Sequence, residues 1–98
     1  MVNYRKEAKG RPCMVNISGV CNHDTQTTVL AHLNVQGLNV KAHDLHGCWA
    51  CSACHEWLDH GWAEAPFSHP MVTREQRDYE HYKAIIRTQQ QLIREGKL

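Results

Sequence analysis

The run Cys48-Trp-Ala-Cys51-Ser-Ala-Cys54-His55, followed by Asp59, carries the most chemical information in this chain. The spacing Cys51-x-x-Cys54 lets two thiolates reach one zinc ion. His55 and Asp59 are four residues apart, so on a helix their side chains share one face. Thiolates favour zinc, whereas an imidazole and a carboxylate also suit magnesium or manganese. The run therefore offers two kinds of candidate metal ligand.

The composition indicates one small domain that needs a stabilising metal ion. Leu, Ile, Val and Phe make up 19 of the 98 residues, and the net charge is only +1. A core this thin contributes little folding free energy in a chain of this length. A structural zinc ion supplies about 10–16 kcal/mol of apparent binding free energy, more than we expect from such a core.

The cysteine usage indicates a reducing compartment. The chain has five cysteines, an odd number, and residues 1–11 are polar and basic rather than apolar like a signal peptide. No stretch approaches the roughly 18 apolar residues of a membrane span. We therefore expect a cytoplasmic protein with no membrane partner, in which cysteines bind metal more often than they form disulfides.

Hydrophobic patterning and turn residues predict two short β elements in the first half of the chain. Residues 13–21 alternate apolar and polar side chains and indicate a short strand or a knuckle with a cysteine at each end. Residues 27–33 are β-branched and apolar, which predicts a strand. Residues 34–47 contain Asn and Gly and indicate a loop with one further short strand.

Two helices are predicted in the second half, which makes the fold class α+β. Ser52 is the expected N-cap of a helix over residues 53–60, with Gly61 as its stop. Residues 62–72 read as an irregular connection, and Thr73 opens a capping box for a long helix over residues 73–95. Its apolar stripe indicates either core or a dimer face: Tyr79, Tyr82, Ile85, Ile86, Leu92 and Ile93.

A structural zinc site is the first chemical hypothesis. Its expected ligands are Cys13 and Cys21, about one hairpin apart, together with Cys51 and Cys54 at a helix start. Cys48 is an alternative to Cys13 or Cys21. The simpler alternative is that the cysteines bind no metal and are buried free thiols that act as small apolar side chains. An iron–sulfur cluster is disfavoured because the run lacks the usual fourth cysteine and proline.

A second hypothesis is a hydrolytic site built from His32, His55 and Asp59. Phosphodiester hydrolysis needs a base that deprotonates water and a cation that stabilises charge on the phosphate. A strand histidine that faces a helix with two ligands meets both needs. Taken alone, however, a His–Asp pair four residues apart is often only a surface ion pair.

Five segments of the chain resemble one known family, the HNH or ββα-metal nucleases. Within that family the chain is most similar to the small prophage-encoded YbcO-like group, which is related to the phage nuclease Ref. The segments are Arg5-Lys-Glu-Ala-Lys-Gly-Arg-Pro-Cys13, Ser18-Gly-Val-Cys21-Asn22, Thr28-Val-Leu-Ala-His32-Leu, Asp44-Leu45 and Ala50-Cys51-Ser-Ala-Cys54-His55-Glu-Trp-Leu-Asp59.

The resemblance implies a zinc-stapled ββα-metal domain and a role for each matching residue. His32 matches the general base, and Asp44 lies near the position that orients that base. His55 and Asp59 match the helix that holds the catalytic ion, either Mg²⁺ or Mn²⁺ with Zn²⁺ as an alternative. Residues 1–98 would form one domain: a basic arm (1–12), a knuckle and ββα core (13–61) and the C-terminal helix (73–95), with the structural zinc held by Cys13, Cys21, Cys51 and Cys54.

The chain departs from the family pattern just before the base. Many members have a metal ligand at that position, and here it is Ala31, so His32 could instead be a ligand. Asp44 also lies farther from the cysteine pair than the usual Asn. Other histidines are candidates to fill such gaps, although solvated loop positions explain them more simply: His23, His43, His46, His60 and His69.

The charge distribution separates a cation-binding middle from a basic N-terminal arm, and the resemblance to nucleases implies DNA as the polyanion. Residues 42–72 carry no Lys or Arg but do carry acidic residues and five histidines, which suits a bound cation. The N-terminal arm could contact a polyanion, or it could be a solvated, frayed terminus. Its candidate DNA-binding residues are Arg5, Lys6, Lys9 and Arg11.

Three functions fit this sequence. We expect a metal-dependent DNA endonuclease from a phage or prophage, with little sequence specificity because no base-reading module is evident. The alternatives are a non-catalytic zinc-binding module that contacts DNA or a recombination protein, and a structural or regulatory phage factor. The last alternative would act through the apolar stripe of the final helix, which is also the expected face of a homodimer.

Overall fold

The structure is a computed structural model that describes residues 2–33, 43–64 and 72–98. Short 3-10 turns at Thr25–Thr27, Asp44–His46 and Gly61–Ala63 separate the main elements. The main elements are α1 (Tyr4–Glu7), β1 (Val29–His32), β2 (Gly47–Ala50), α2 (Ser52–Asp59) and α3 (Arg74–Arg94). The protein is therefore a small α+β chain with a two-stranded sheet and a long C-terminal helix.

The two strands form an antiparallel pair in which Ala31 lies opposite Cys48 and His32 lies opposite Gly47. All four residues of β2 are buried, whereas β1 is only partly covered. Gly47 packs tightly against β1, because a Cβ there would lie 3.0 Å from Leu30 Cγ and 3.3 Å from Ala31 O. The close approach of the strands at Gly47 is thus next to the end of β1 that carries His32.

The predicted β elements are only partly correct. The strand expected over 27–33 is shortened to Val29–His32, because residues 25–27 wind into a 3-10 turn that Asp24 caps. The short strand expected within 34–47 begins at its last residue, Gly47, and continues to Ala50. Residues 34–42 of that expected loop lie outside the described residues.

The segment 13–21 forms turns rather than the strand that was one alternative. Asn16 and Gly19 have φ angles of 53° and 79°, which interrupt any extended run. The segment still contacts the sheet, because Met14 N donates a hydrogen bond of 2.7 Å to Trp49 O. This places the turn containing Cys13 against β2.

The prediction that Ser52 is the N-cap of α2 is wrong, because the N-cap is Cys51. The Cys51 Sγ accepts a hydrogen bond from Cys54 N at 3.3 Å, and Ser52 is already the first helical residue. A sulfur atom can satisfy this donor because thiolates accept N–H bonds at helix N-termini. The helix ends at Asp59 with His60 as its C-cap, close to the predicted end, and Gly61 follows directly as the first residue of the next 3-10 turn.

The long helix begins and ends as the sequence predicts. Thr73 and Gln76 form a reciprocal capping box, and Gly96 takes a φ of 70° just after the helix. Residues 65–71 of the expected irregular connection lie outside the described residues. Among the described residues, the helices are too short or too polar to cross a bilayer.

The buried face of α3 is largely polar and hydrogen-bonds to the backbone of the other elements. Arg77 donates to Leu58 O at 2.7 Å, and His81 donates to Ala31 O at 3.0 Å. Thr88 Oγ1 accepts from Trp49 N at 3.1 Å. Because these bonds reach α2, β1 and β2, α3 fixes the relative positions of all three elements.

The predicted apolar stripe of α3 is therefore divided between two faces. Ile85 and Leu92 are buried, as expected for core residues. The other four members are between 50% and 62% exposed: Tyr79, Tyr82, Ile86 and Ile93. For these four residues the core alternative is wrong and the dimer-face alternative stays a prediction. The inner face of the helix is occupied by Arg77, His81, Ala84 and Thr88.

Charged residues join the N-terminal segment to the end of α3, so this segment is structured rather than frayed. Arg11 makes two hydrogen bonds to the Glu95 carboxylate, and its guanidinium carbon lies 4.5 Å from the Trp49 ring centroid. Lys97 Nζ lies 2.7 Å from Glu7 Oε2. We call Glu7, Arg11, Glu95 and Lys97 the terminal clasp, which holds α1 beside the sheet.

Candidate active site and metal centre

Four of the five cysteines form one cluster. The Sγ atoms of Cys13, Cys21, Cys51 and Cys54 all lie within 4.8 Å of one another. Cys13 comes from the turn beside β2, and Cys51 and Cys54 come from the start of α2. Of these residues only Cys21 is partly exposed. The cluster therefore joins the 13–21 turn to the helix that carries His55 and Asp59.

The sulfur spacing fits a tetrahedral zinc site. Ligands about 2.3 Å from a central zinc ion lie about 3.8 Å apart in a tetrahedron. The Cys51 and Cys21 sulfurs are separated by 3.8 Å. Four thiolates and no open ligand position are typical of structural rather than catalytic zinc.

The thiols in this cluster compete for protons. A hydrogen bond from Cys54 lowers the pKa of Cys13 to about 4. The same contact raises the pKa of Cys54 above its ordinary value. A divalent cation would remove this competition, because coordination favours the deprotonated form of every ligand.

Cys48 lies outside the cluster. It is fully buried in β2 opposite Ala31. Burial raises the pKa of the Cys48 thiol, which therefore stays neutral and behaves as a small apolar side chain. The alternative in which Cys48 replaces Cys13 or Cys21 does not match the observed grouping.

His32 and Asp44 are in direct contact. His32 Nε2 lies 2.7 Å from Asp44 Oδ1, and Arg5 Nε lies 3.4 Å from the same oxygen. The hydrogen bond from His32 lowers the pKa of Asp44, with a smaller contribution from Arg5. An ionised Asp44 accepts the Nε2 proton, which leaves the lone pair of His32 on Nδ1.

His55 and Asp59 share one face of α2, as their spacing predicts. His55 Nε2 lies 3.4 Å from Asp59 Oδ2, and both side chains are about two-fifths exposed (40% and 43%). Two ligands each about 2.1 Å from one ion are roughly 3.0–3.4 Å apart. The pair is thus spaced for a shared cation, and ion pairing alone also accounts for the contact. Within the described ranges, only the four-cysteine group brings together three or more candidate metal ligands.

One cavity brings the histidines of the two elements together. It has a volume of about 580 Å³. His32 from β1 and His55 from α2 both line it, together with Arg5 and Lys9 from the N-terminal segment. The cavity therefore combines imidazole groups with cationic side chains, an arrangement suited to an anionic substrate.

The four candidate DNA-binding residues differ in their surroundings. Arg5 and Lys9 line the cavity, whereas Lys6 is exposed elsewhere on α1. Arg11 belongs to the terminal clasp, where its guanidinium is engaged by Glu95 and Glu7. The exposed cationic groups beside the histidines are therefore those of Arg5 and Lys9.

Sequence reasoning missed His81, which lies behind the candidate base. His81 is 1% exposed, and its Nε2 donates to the carbonyl of Ala31, the residue before His32. Its Nδ1 is buried and has no hydrogen-bond partner among the residues that the structure describes. The helical spacing of Arg77, His81, Ala84 and Thr88 could have revealed this polar inner face.

Known proteins similar to this chain are described as nucleases or phage proteins. The family model "Putative nuclease YbcO" matches residues 2–97. "Putative nuclease YbcO" of Escherichia coli K12 is 48% identical over 62 residues, which are 60% of this chain and 65% of that protein. The protein of the same name from Enterobacteria phage 82 matches equally well. The aligned part thus spans about two-thirds of the length of these relatives.

A solved structure supports the fold over nearly the whole chain. It is described as a putative bacteriophage protein from Escherichia coli K-12 MG1655, and it matches with a TM-score of 0.75 at 35% identity. The match covers 96% of this chain and all of that one. With the family match over residues 2–97, these similarities show that the chain belongs to the YbcO family of phage and prophage proteins named as nucleases.

Proposed function

We propose that this protein is a metal-dependent DNA endonuclease of the HNH type that hydrolyses phosphodiester bonds with little sequence specificity. The observation that carries the proposal is the shared cavity. In it, a histidine held by a carboxylate lies near a second histidine on a helix and two cationic side chains. The family description as a nuclease supports the same class of reaction.

His32 is the proposed general base. With its Nε2 proton directed to Asp44 at 2.7 Å, the lone pair on Nδ1 can accept a proton from water. The water oxygen then forms a bond to phosphorus as the bond to the 3′ oxygen breaks, and solvent protonates the leaving oxygen. The Asp44 carboxylate stabilises the imidazolium that forms and fixes the ring orientation.

His55 and Asp59 are the proposed ligands of the catalytic cation. Their 3.4 Å separation and partial exposure are compatible with one ion shared with water and a phosphate oxygen. When bound, such an ion neutralises charge on the phosphate and on the leaving oxygen. Mg²⁺ and Mn²⁺ suit this imidazole and carboxylate pair, with Zn²⁺ as an alternative.

Arg5 and Lys9 are proposed to hold the DNA backbone beside the cavity. Both contribute positive charge next to His32 and His55. Phosphate contacts give affinity without sequence information, which is the basis for proposing low specificity. The proposed role of the four-cysteine zinc site is to fix the start of α2 and thereby the position of His55.

A supercoiled-plasmid nicking assay with the zinc-loaded protein tests this proposal. We expect nicking only when Mg²⁺ or Mn²⁺ is added, and a large loss of rate in His55→Ala. His60→Ala is the matched control, because its side chain is exposed just after the same helix. No nicking by the wild-type protein with Mg²⁺, with Mn²⁺ or with added Zn²⁺ would contradict the proposal.

One observation favours the alternative of a non-catalytic zinc-binding module. Ala31 occupies the position where the family often supplies a ligand, and it is buried against Cys48. A catalytic ion would therefore have only two ligands from α2. The alternative is preferred on two results together. The first is that bound metal never exceeds one zinc per chain. The second is that wild type and His55→Ala bind DNA equally and neither protein nicks it.

A further inference from the structure

In the part of the chain that the structure describes, the outer face of α3 carries an exposed apolar stripe, and Lys83 Nζ lies 4.5 Å from the Tyr79 ring centroid. Tyr79, Tyr82, Ile86 and Ile93 are 62%, 50%, 55% and 59% exposed. We call these four residues the α3 stripe. Soluble proteins seldom leave so many large apolar side chains in one continuous row without a partner. The stripe lies on the outer face of a helix whose inner face already packs on the sheet.

The spacing within the α3 stripe favours a second helix as the occupant. Tyr79, Ile86 and Ile93 are separated by seven residues each, and Tyr82 is three residues after Tyr79. A seven-residue repeat keeps one row of side chains facing a neighbouring helix. Ile86 is at the centre of the row, because Tyr79 and Ile93 are each seven residues away from it.

The charges at the ends of α3 identify which helix fits. The first turn contains Glu75 and the last turn contains Arg94. Both residues are exposed, and Glu75 lies on the side of the helix that carries Tyr79. An antiparallel partner with the same sequence would bring its Arg94 towards Glu75 of the first helix. Arg74, which is also in the first turn, is not on the side that carries Tyr79. The helix dipoles would also oppose one another favourably.

We propose that two copies of this protein associate through antiparallel contact of their α3 stripes, with Ile86 at the two-fold axis. Tyr79 of each copy then packs near Ile93 of the other, and Glu75 of each approaches the end that carries Arg94. The stripe would be covered in the dimer. DNA is a poor occupant, because the four residues of the stripe carry no positive charge to contact phosphates.

Sedimentation equilibrium of the zinc-loaded protein tests this proposal. We expect twice the 11.3 kDa chain mass at micromolar concentrations. Ile86→Glu places two carboxylates together at the axis and should weaken association by roughly tenfold or more. Val2→Glu, at an exposed apolar residue outside the stripe, should leave association unchanged. A monomer at all concentrations, or equal weakening by both variants, would overturn the proposal.

Charge reversal tests the antiparallel arrangement separately. Glu75→Lys and Arg94→Glu should each weaken association, since each places like charges near one another in the dimer. The double variant restores opposite charges and should recover most of the affinity. Additive weakening in the double variant would overturn the antiparallel pairing. Circular dichroism and one bound zinc per chain would establish that each variant is folded.

Discussion

The imidazole of His32 and the carboxylate of Asp44 form a 2.7 Å contact between the end of β1 and the turn that precedes β2. The two residues are twelve positions apart, and the antiparallel pairing of the strands brings their segments together. Because the hydrogen bond from His32 lowers the pKa of Asp44, this carboxylate stays ionised at neutral pH. The pair has the polarity that a histidine base requires.

Replacing the carboxylate should impair this base without removing it. Asp44→Ala removes the acceptor of the Nε2 proton, so the ring orientation and the tautomer with its lone pair on Nδ1 are no longer fixed. We expect the single-turnover rate of DNA cleavage to fall roughly 10²–10⁴-fold with zinc content unchanged. Glu64→Ala, at an exposed carboxylate, is the matched control. A rate within twofold of wild type would show that Asp44 does not orient the base.

Arg5 and Lys9 should contribute more to DNA binding than Lys6. All three are exposed cationic residues of the N-terminal segment, but only Arg5 and Lys9 line the cavity. Removing one phosphate contact should reduce the slope of log affinity against log salt concentration by roughly 0.9. Fluorescence anisotropy over a salt series would measure this slope for Arg5→Ala, Lys9→Ala and Lys6→Ala. Equal slopes for all three variants would contradict the proposed path of the DNA backbone.

The grouping of the cysteines predicts a zinc stoichiometry. Wild type should bind one thiolate-coordinated zinc per chain, and Cys21→Ser should lose it because one of four ligands is removed. Cys48→Ala is the matched control, since its sulfur lies outside the group. Atomic absorption, with cobalt substitution to report thiolate ligands, measures the outcome. Zinc loss from Cys48→Ala with retention in Cys21→Ser would contradict the assignment.

His81 should remain neutral under mildly acidic conditions. Burial lowers the pKa of His81 below its ordinary value of 6.5, and its Nε2 proton is fixed by the Ala31 carbonyl. The unfolded chain would protonate this residue near pH 6.5, so His81 makes the folded state less stable as pH falls through that value. Long-range ¹H–¹⁵N spectra should show the Nε2–H tautomer as the main form at pH 6.5, where an ordinary imidazole is half protonated. An imidazolium signal from His81 at that pH would contradict this environment.

Sequence patterns were most informative where geometry is local. Three predicted features each depend on a single helical turn, so the sequence determines them directly. They are the His55–Asp59 spacing, the Thr73 capping box and the Cys51–Cys54 pair. The sequence analysis assigned the N-cap of α2 to Ser52, because serine is a usual cap, whereas the structure has Cys51 at that position. The cysteine has another use in this chain, since the sulfur that caps α2 also belongs to the four-cysteine cluster.

Tertiary contacts determined the features that the sequence did not reveal. The apolar residues of α3 were expected to form either core or a dimer face. Tyr79 and Ile86 lie outside the core, because Arg77 and His81 take the inner face and bond to backbone carbonyls of α2 and β1. Similarly, Arg11 looks like a DNA contact in the sequence. Its role in the terminal clasp depends on Glu95, a residue 84 positions away that no local pattern connects to it.

The most direct test of the proposed chemistry is the single-turnover cleavage rate of His32→Ala. It should be measured on supercoiled plasmid at saturating Mg²⁺ or Mn²⁺, with bound zinc and DNA affinity determined on the same preparation. We expect zinc content and DNA affinity close to those of wild type and a rate reduced roughly 10²–10⁴-fold. A rate equal to wild type would show that His32 is not the base and that the cavity is not the site of hydrolysis.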